Sequence, residues 1–254
     1  MDLRALHNPD IEIAMPACVR CLSFSLAALV LAACGSKNNP SGPSGPYSCI
    51  GAALPTTAPA SITVTGTITG NVTSPSPLAG ATVVGFRTGN ATKLDSATTD
   101  ASGHFSLTIA TGGSPVDGYV RVSKAGYIDT YGYPPAPLAA SGSQSAVLIT
   151  TSERNLITST FGVTQTAGNG VMAVVVEDCN AMPVTGATLS VKQGGSEVGA
   201  VYASGSAGAF YVFNVPPGDV VVGASVGGNT LRAHTVVVRA DVVTLTGVTP
   251  GPLN

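Results

Sequence analysis

Apolar and polar residues alternate in short segments along most of the chain. In residues 61–70 (SITVTGTITG) the apolar side chains Ile62, Val64 and Ile68 stand at even positions, and a second apolar segment covers residues 171–176. Alternation with a period of two is typical of a strand that buries one face. Turns rich in Gly, Pro, Asn and Asp separate such segments. Short strands with regular turn signals predict an antiparallel β-sandwich.

The segments recur in the same order in two parts of the chain. Residues 77–83 (PLAGATV) match residues 183–189 (PVTGATL) in type at every position. Further along, residues 100–105 (DASGHF) correspond to residues 205–210 (GSAGAF). Landmarks in one order at similar spacing indicate an internal repeat. Each motif contains a turn glycine, which supplies a backbone conformation that other residues resist.

These motifs resemble the carboxypeptidase regulatory-like family, a transthyretin-like β-sandwich found beside some metallocarboxypeptidases. The resemblance covers residues 61–131 and 170–248, and the first unit is the closer match because Gly205 replaces the turn aspartate Asp100 in the second. The motifs are structural, so the resemblance implies a fold and no catalytic residues. We therefore predict an all-β protein with two tandem antiparallel Greek-key β-sandwich domains.

The predicted domains occupy only part of the chain. In the region between them, Ser152 and Glu153 predict the N-cap and first turn of a short helix, and a strand over residues 146–150 is an equal alternative. The full predicted order is a signal peptide (1–33, with Met15 as a possible true start), a disordered Gly/Pro/Ser linker (34–60), domain 1 (61–137), a connector (138–169) and domain 2 (170–250).

The N-terminal region has the pattern of an export signal. Arg20 precedes an apolar run over residues 22–31, which is shorter than the roughly 20 residues that span a bilayer. The run ends in Leu31-Ala32-Ala33-Cys34, which resembles a bacterial lipobox. The resemblance implies cleavage before Cys34 and a diacylglycerol on its thiol. The expected location is therefore the bacterial cell envelope, periplasmic or surface-exposed, with the membrane as partner through the lipid on Cys34. Gly35 supplies no aspartate retention signal, which by resemblance favours the outer membrane.

Composition argues against one class of partner, and the cysteine count predicts one covalent link. Charged residues form 9 % of the chain, the formal net charge is −2, and there is no basic run; nucleic-acid binding is therefore not expected. Cys18 and Cys21 belong to the predicted signal and Cys34 to the anchor. Cys49 and Cys179 remain as an even pair in an oxidising compartment, which predicts a disulfide.

Few residues offer candidate chemistry. His104 and His234 lack a Glu or His at metal-ligand spacing and are expected to be exposed sheet residues, so no metal, cofactor or catalytic residue is predicted. A ligand-recognition surface is a separate possibility, because a Tyr- and Pro-rich segment lies at the end of the first unit. Rigid aromatic side chains suit the binding of sugar or peptide. The candidate binding residues are Tyr127, Asp129, Tyr131 and Tyr133.

The same segment has a structural interpretation, in which Tyr127 enters the core and the rest packs at the domain junction. We therefore expect a non-catalytic, lipid-anchored structural or protein-interaction module. The alternative is a glycan- or peptidoglycan-binding module that uses residues 127–133. A transthyretin-like hydrolase fits less well, since such enzymes use paired histidines, an arginine and a Tyr-Arg-Gly-Ser tail, and this chain ends in GPLN. The envelope protein or glycan partner is unspecified.

Overall fold

The computed structural model describes residues 45–206 and 208–252. The predicted signal peptide, Cys34 and the first part of the linker lie outside these residues. In chain order the elements are β1 (Ser61–Gly70), β2 (Ser76–Pro77), β3 (Thr82–Arg87), β4 (Lys93–Thr98), β5 (His104–Ala110), β6 (Gly118–Ser123), β7 (Thr130–Tyr133), β8 (Gly142–Ser143), β9 (Ala146–Leu148), α1 (Thr151–Thr160), β10 (Gly170–Val176), β11 (Thr188–Gln193), β12 (Ser196–Glu197), β13 (Ala200–Ala203), β14 (Ala209–Val215), β15 (Gly218–Val226), β16 (Asn229–Thr230), β17 (His234–Val238) and β18 (Val243–Val248), after a 3-10 turn at Gly45–Tyr47. The fold is all-β, which confirms the predicted class.

One central sheet runs through both repeats. Its eight strands lie in the order β13-β14-β10-β18-β7-β6-β3-β4, with β3, β4, β6 and β7 from the first unit and the others from the second. The join is the parallel pairing of β7 with β18, which aligns Thr130 with Val243 and Tyr133 with Thr246. The two predicted sandwiches therefore share a sheet, an arrangement that the repeat pattern did not predict.

Two smaller sheets cover opposite faces of the central sheet. In the first unit β1 pairs with β2, β5, β8 and β9, and in the second β15 pairs with β11, β16 and β17, with β12 outside β11. Val120 and Val122 of β6 belong to the first core, whereas Tyr119 beside them belongs to the second. Since successive side chains of a strand point to opposite faces, the two cores lie on opposite sides.

The cores consist mainly of aliphatic side chains at alternating strand positions. The largest fully buried members of the first are Ile62, Ile68, Leu107 and Leu148. The second contains Met172, Val174, Val176, Val191, Val212, Val220, Val222, Val236 and Val238. This alternation is the pattern seen in the sequence, and it explains why the strands form where they do.

The connector contains both of the elements that its sequence allowed. Strand β9 pairs in parallel with β1, and helix α1 follows it. The N-cap is Thr150, two residues before the predicted Ser152. Thr150 Oγ1 accepts from the backbone N–H of Glu153 at 3.2 Å, and the Glu153 carboxylate accepts from that of Thr150 at 2.7 Å, which forms a capping box. Glu153 also accepts from the Val72 N–H at 2.9 Å and so holds the helix to the first unit.

Residues 45–60 contact both units, the second through Pro46 and Cys49 and the first through Ala58 and Ala60. Cys49 and Cys179 form a disulfide, with their Cα atoms 5.8 Å apart, and the Cys179 N–H donates to the Pro46 carbonyl at 2.8 Å. Both cysteines are buried. The expectation of a disordered linker over residues 34–60 is therefore wrong for its second half, because a cross-link and backbone hydrogen bonds fix that segment.

Candidate binding site

The four residues predicted to form a recognition surface lie in different environments. Tyr127 packs against the first core and Tyr131 against the second. The Asp129 carboxylate accepts two hydrogen bonds from Arg121, at 2.7 and 3.0 Å. Tyr133 is buried, with 3 % of its surface exposed. These side chains do not share an exposed surface, because strand β7 is interior to the central sheet and packs at the junction of the units.

An aromatic row crosses the junction face of the central sheet. Tyr119 of β6 stacks on Phe86 of β3, with ring centroids 5.3 Å apart, and on Tyr133 of β7 at 5.0 Å. Tyr131 lies 6.0 Å from Tyr119. Offset aromatic contacts of this kind bury a large apolar area. The row therefore gives the first unit a rigid apolar wall that faces the second.

Arg239 of the second unit packs against this wall. Its guanidinium carbon lies 4.1 Å from the Tyr131 ring centroid and 5.0 Å from that of Tyr119. Its Nη1 donates to Tyr133 Oη at 2.8 Å and to the Val237 carbonyl at 3.1 Å. Within the described residues no carboxylate lies within 4.0 Å of Arg239. Burial raises the pKa of Tyr133, so its phenol stays protonated.

A cleft of about 740 Å³ lies beside the aromatic row, between the two units. This volume is within the range of small-molecule sites. Tyr133 is the one predicted recognition residue among those that line it. The first unit contributes residues 88–91, 117–119 and 133–137, and the second contributes Asp219, Arg232, His234, Thr235, Val237 and Arg239.

His234 lies in the wall of this cleft, and the prediction that it is exposed is wrong. It is partly buried because it begins β17 on the face that carries the core residues Val236 and Val238. Its Nε2 lies 2.7 Å from Thr246 Oγ1, and that hydroxyl donates to the Tyr133 carbonyl at 3.0 Å. The hydroxyl hydrogen is thus used, so Nε2–H is the donor and Nδ1 is the bare acceptor.

The free nitrogen of His234 has no partner. Nδ1 is buried and unpaired within the described structure. Burial, together with the nearby charge of Arg232, lowers the pKa of His234 to about 4. The imidazole is therefore neutral at neutral pH.

Two further polar groups of the lining are unpaired. Arg232 donates through Nη2 to the Pro135 carbonyl, but its Nε is buried without a partner, and burial lowers its pKa. Thr88 Oγ1 is likewise buried and unpaired. Two exposed carboxylates, Asp117 and Asp219, also line the cleft. They balance the two arginines, so the cleft has no net charge while His234 is neutral.

Sequence reasoning missed most of these residues. Thr88, Asp117 and Arg232 are far apart in the chain and match no motif. One signal was available, since Arg232, His234 and Arg239 lie within eight residues of a chain in which charge is scarce.

The second predicted histidine lies elsewhere. His104 is exposed and its Nδ1 lies 3.8 Å from the Asp100 carboxylate. That carboxylate accepts from the backbone N–H of His104 at 2.9 Å and of Ser102 at 2.8 Å, which lowers the pKa of Asp100. Neither residue lines the cleft. Among residues 45–206 and 208–252, no group of three or more His, Cys, Asp or Glu side chains is placed to hold a metal ion. No helix there is long and apolar enough to cross a membrane.

Comparisons with known proteins yield only remote likenesses. No family model matches the chain, and no curated protein matches it. The shaft pilin SpaA from Lactobacillus rhamnosus GG is 11 % identical over 76 % of this chain and 99 % of its own, with a TM-score of 0.27. The major pilin BcpA of Bacillus cereus is 11 % identical over 75 % of this chain and 100 % of its own, also at 0.27.

An enzyme is among the solved structures at the same level. The 3-chlorocatechol 1,2-dioxygenase of Rhodococcus opacus 1CP is 12 % identical, with a TM-score of 0.27, and the match covers 36 % of this chain and 60 % of that one. TM-scores this low support no inference about function. The fold assignment rests on the strands of this chain, and no enzyme assignment follows.

Proposed function

We propose that the protein is a non-catalytic interaction module of the bacterial cell envelope, held to the membrane by lipid on Cys34. The observation that carries the interaction-module part of this proposal is the parallel pairing of β7 with β18, which makes one continuous sheet of the two units. A shared sheet resists the relative motion that is usual between linked domains. The module therefore keeps a surface built from both units in a fixed geometry.

The anchor part of the proposal depends on the sequence Leu31-Ala32-Ala33-Cys34 after an apolar run. A fully extended chain from Cys34 to Gly45 reaches at most about 40 Å. The cross-link at Cys49 then fastens the chain to the second unit. A lipid on Cys34 would therefore keep the folded body close to the membrane surface. Stable attachment needs more than one acyl chain, which a diacylglycerol provides.

Substitution of the lipidated residue tests this proposal. Cys34→Ala should move the protein from the membrane fraction to the soluble fraction, because no thiol remains to carry the lipid. Cys21→Ala is the matched control, since it makes the same change within the predicted signal, and it should leave fractionation unchanged. Mass spectrometry of the mature parent should find a diacylglycerol on Cys34. A Cys34→Ala chain that stays with the membranes, or an unmodified Cys34, contradicts the anchor.

A further inference from the structure

We propose that the cleft between the two units binds a neutral saccharide. This inference rests on the proposed role as an interaction module but does not depend on the lipid. It concerns a surface to which both units contribute, in a cleft next to the β7–β18 join. The argument comes from the unpaired polar groups of the lining, their donor and acceptor character, and the balance of charge.

Unpaired buried polar groups are concentrated in the wall of this cleft. Within the described residues six buried side-chain nitrogen and oxygen atoms have no hydrogen-bond partner. Three of them belong to residues that line the cleft, namely Thr88, Arg232 and His234. Each such group destabilises the folded protein, and native structures retain few of them without a reason. Three at one site indicate a polar ligand that satisfies them.

The character of the three atoms selects the ligand chemistry. Arg232 Nε–H is a donor, His234 Nδ1 is an acceptor, and the Thr88 hydroxyl is both. A sugar hydroxyl accepts from the first and donates to the second. Phosphate dianions and carboxylates only accept, so they would leave His234 Nδ1 unpaired. Because the three atoms are shielded in the free protein, binding requires side-chain rotation, a common change at binding sites.

The remaining lining fits the same ligand. Asp117 and Asp219 accept hydrogen bonds from hydroxyls and cancel the charge of the arginines, so the cleft does not favour an anion. The partly exposed prolines of residues 134–137 supply apolar surface for the C–H face of a sugar ring.

A peptide fits less well. Among the described strands β17 pairs only with β15, so an extended peptide would add to its other edge. The Val237 carbonyl of β17 already accepts from Tyr133 Oη at 3.3 Å and from Arg239 Nη1 at 3.1 Å. These contacts use an acceptor that strand addition would need.

The test is a titration of the full chain, extracted in a zwitterionic detergent that has no sugar headgroup. The probes are cellotriose, maltotriose and triacetylchitotriose, with trigalacturonate as the anionic probe and trialanine as the peptide probe. Binding is followed by calorimetry and by the ¹⁵N resonance of His234 Nδ1, which should shift when the nitrogen accepts a hydrogen bond. We expect at least one neutral trisaccharide to bind and to shift this resonance.

A matched pair of variants separates binding from folding. Thr88→Val removes an unpaired hydroxyl from the cleft, and Thr244→Val removes one that is equally buried but does not line it. Neither change breaks a hydrogen bond of the free protein, so both should melt at or above the parent temperature. Thr88→Val should weaken saccharide binding about tenfold, the effect of one hydrogen bond, and Thr244→Val should not.

Four results would overturn the inference: none of the probes binds, only trigalacturonate binds, only trialanine binds, or Thr88→Val and Thr244→Val bind the saccharide equally well. The fractionation of Cys34→Ala is a separate measurement. Its failure would remove the anchor and leave the saccharide result unchanged.

Discussion

Glu177 and His234 are two titratable residues of the second unit, one buried and one partly buried, whose side chains lack full hydrogen-bond pairing within the described structure. Glu177 is 1 % exposed, and neither of its carboxylate oxygens has a partner within the described structure. Burial, with a contribution from the neighbouring Asp178, raises its pKa to about 7. His234 is the opposite case, with a pKa lowered to about 4. Burial has one physical effect in both: it disfavours the charged form.

The two groups give stability opposite dependences on pH. The folded pKa of Glu177 is raised above its ordinary 4.5, so its contribution is fully present below pH 4.5 and is lost as pH rises through about 7. The folded pKa of His234 is depressed below 6.5, so stability falls as pH drops from 6.5 to about 4. Each shift corresponds to about 3 kcal/mol. The parent should therefore show little change in unfolding free energy between pH 4.5 and 6.5.

Substitution of Glu177 should expose the histidine effect. Glu177→Gln cannot ionise, so urea unfolding should show it losing about 3 kcal/mol as pH falls from 6.5 to 4. It should also lack the loss that the parent shows from pH 6.5 to 8. His104→Asn is the control. It removes an exposed histidine and leaves Glu177 and His234 in place, so its unfolding free energy should depend on pH as that of the parent does. A Glu177→Gln variant with a flat profile from pH 6.5 to 4 would contradict the account.

At the scale of elements, the turn glycines define the repeat. Gly80, Gly103, Gly186 and Gly208 have φ of 69°, 75°, 71° and 64°. Gly103 and Gly208 occupy matching positions, and a side chain there would collide with the carbonyl of Ile68 or of Val176 respectively. Each glycine therefore sits against the first strand of its own unit, which is the structural basis of the motif.

Alanine at these glycines should be costly. Gly103→Ala and Gly208→Ala combine a positive φ with a collision, so each should destabilise by well over 1 kcal/mol. Gly112→Ala is the control, since Gly112 has a φ of 65° but open space around it; its cost should be the backbone penalty of about 1 kcal/mol. Thermal melts compare the three. Equal losses at Gly103 and Gly112 would show that the close approach to Ile68 is unimportant.

At the scale of the whole molecule, the disulfide and the shared sheet tie the parts together. The Cys49–Cys179 bond links positions 130 residues apart, and the β7–β18 pairing joins the units. The N-terminal segment is thereby fixed to the second unit before the chain enters β1 of the first. Separation of the units would require the loss of sheet hydrogen bonds and of the contacts of Arg239 with the aromatic row.

Removal of the cross-link should lower stability without loss of the fold. A loop of this length gives roughly 4–5 kcal/mol in the chain-entropy model, an upper figure. The double variant Cys49→Ala/Cys179→Ala should therefore melt at a lower temperature and keep the strand signal in circular dichroism. Alkylation of the unreduced parent should label neither cysteine. Two labelled thiols, or an unchanged melting temperature in the double variant, would contradict this role.

The sequence by itself determined the strands, the turns and the sites of the main cores. Alternation placed Ile62, Val64 and Ile68 in the first core, and the P-x-x-G motif placed Gly80 and Gly186 in turns, because both signals depend on neighbouring residues and elementary sterics. The sequence predicts the start of helix α1 at Ser152, two residues after the observed N-cap Thr150, because Ser and Thr are both N-cap residue types.

Only the tertiary structure decided the join of β7 with β18 and the cleft beside it. Strands at the edges of two sheets have no local signal for a partner more than 100 residues away, since the pairing depends on which edges the rest of the fold leaves uncovered. The same holds for the side chains. Whether Thr88 or His234 has a partner is a property of its neighbours in space, and those come from both units.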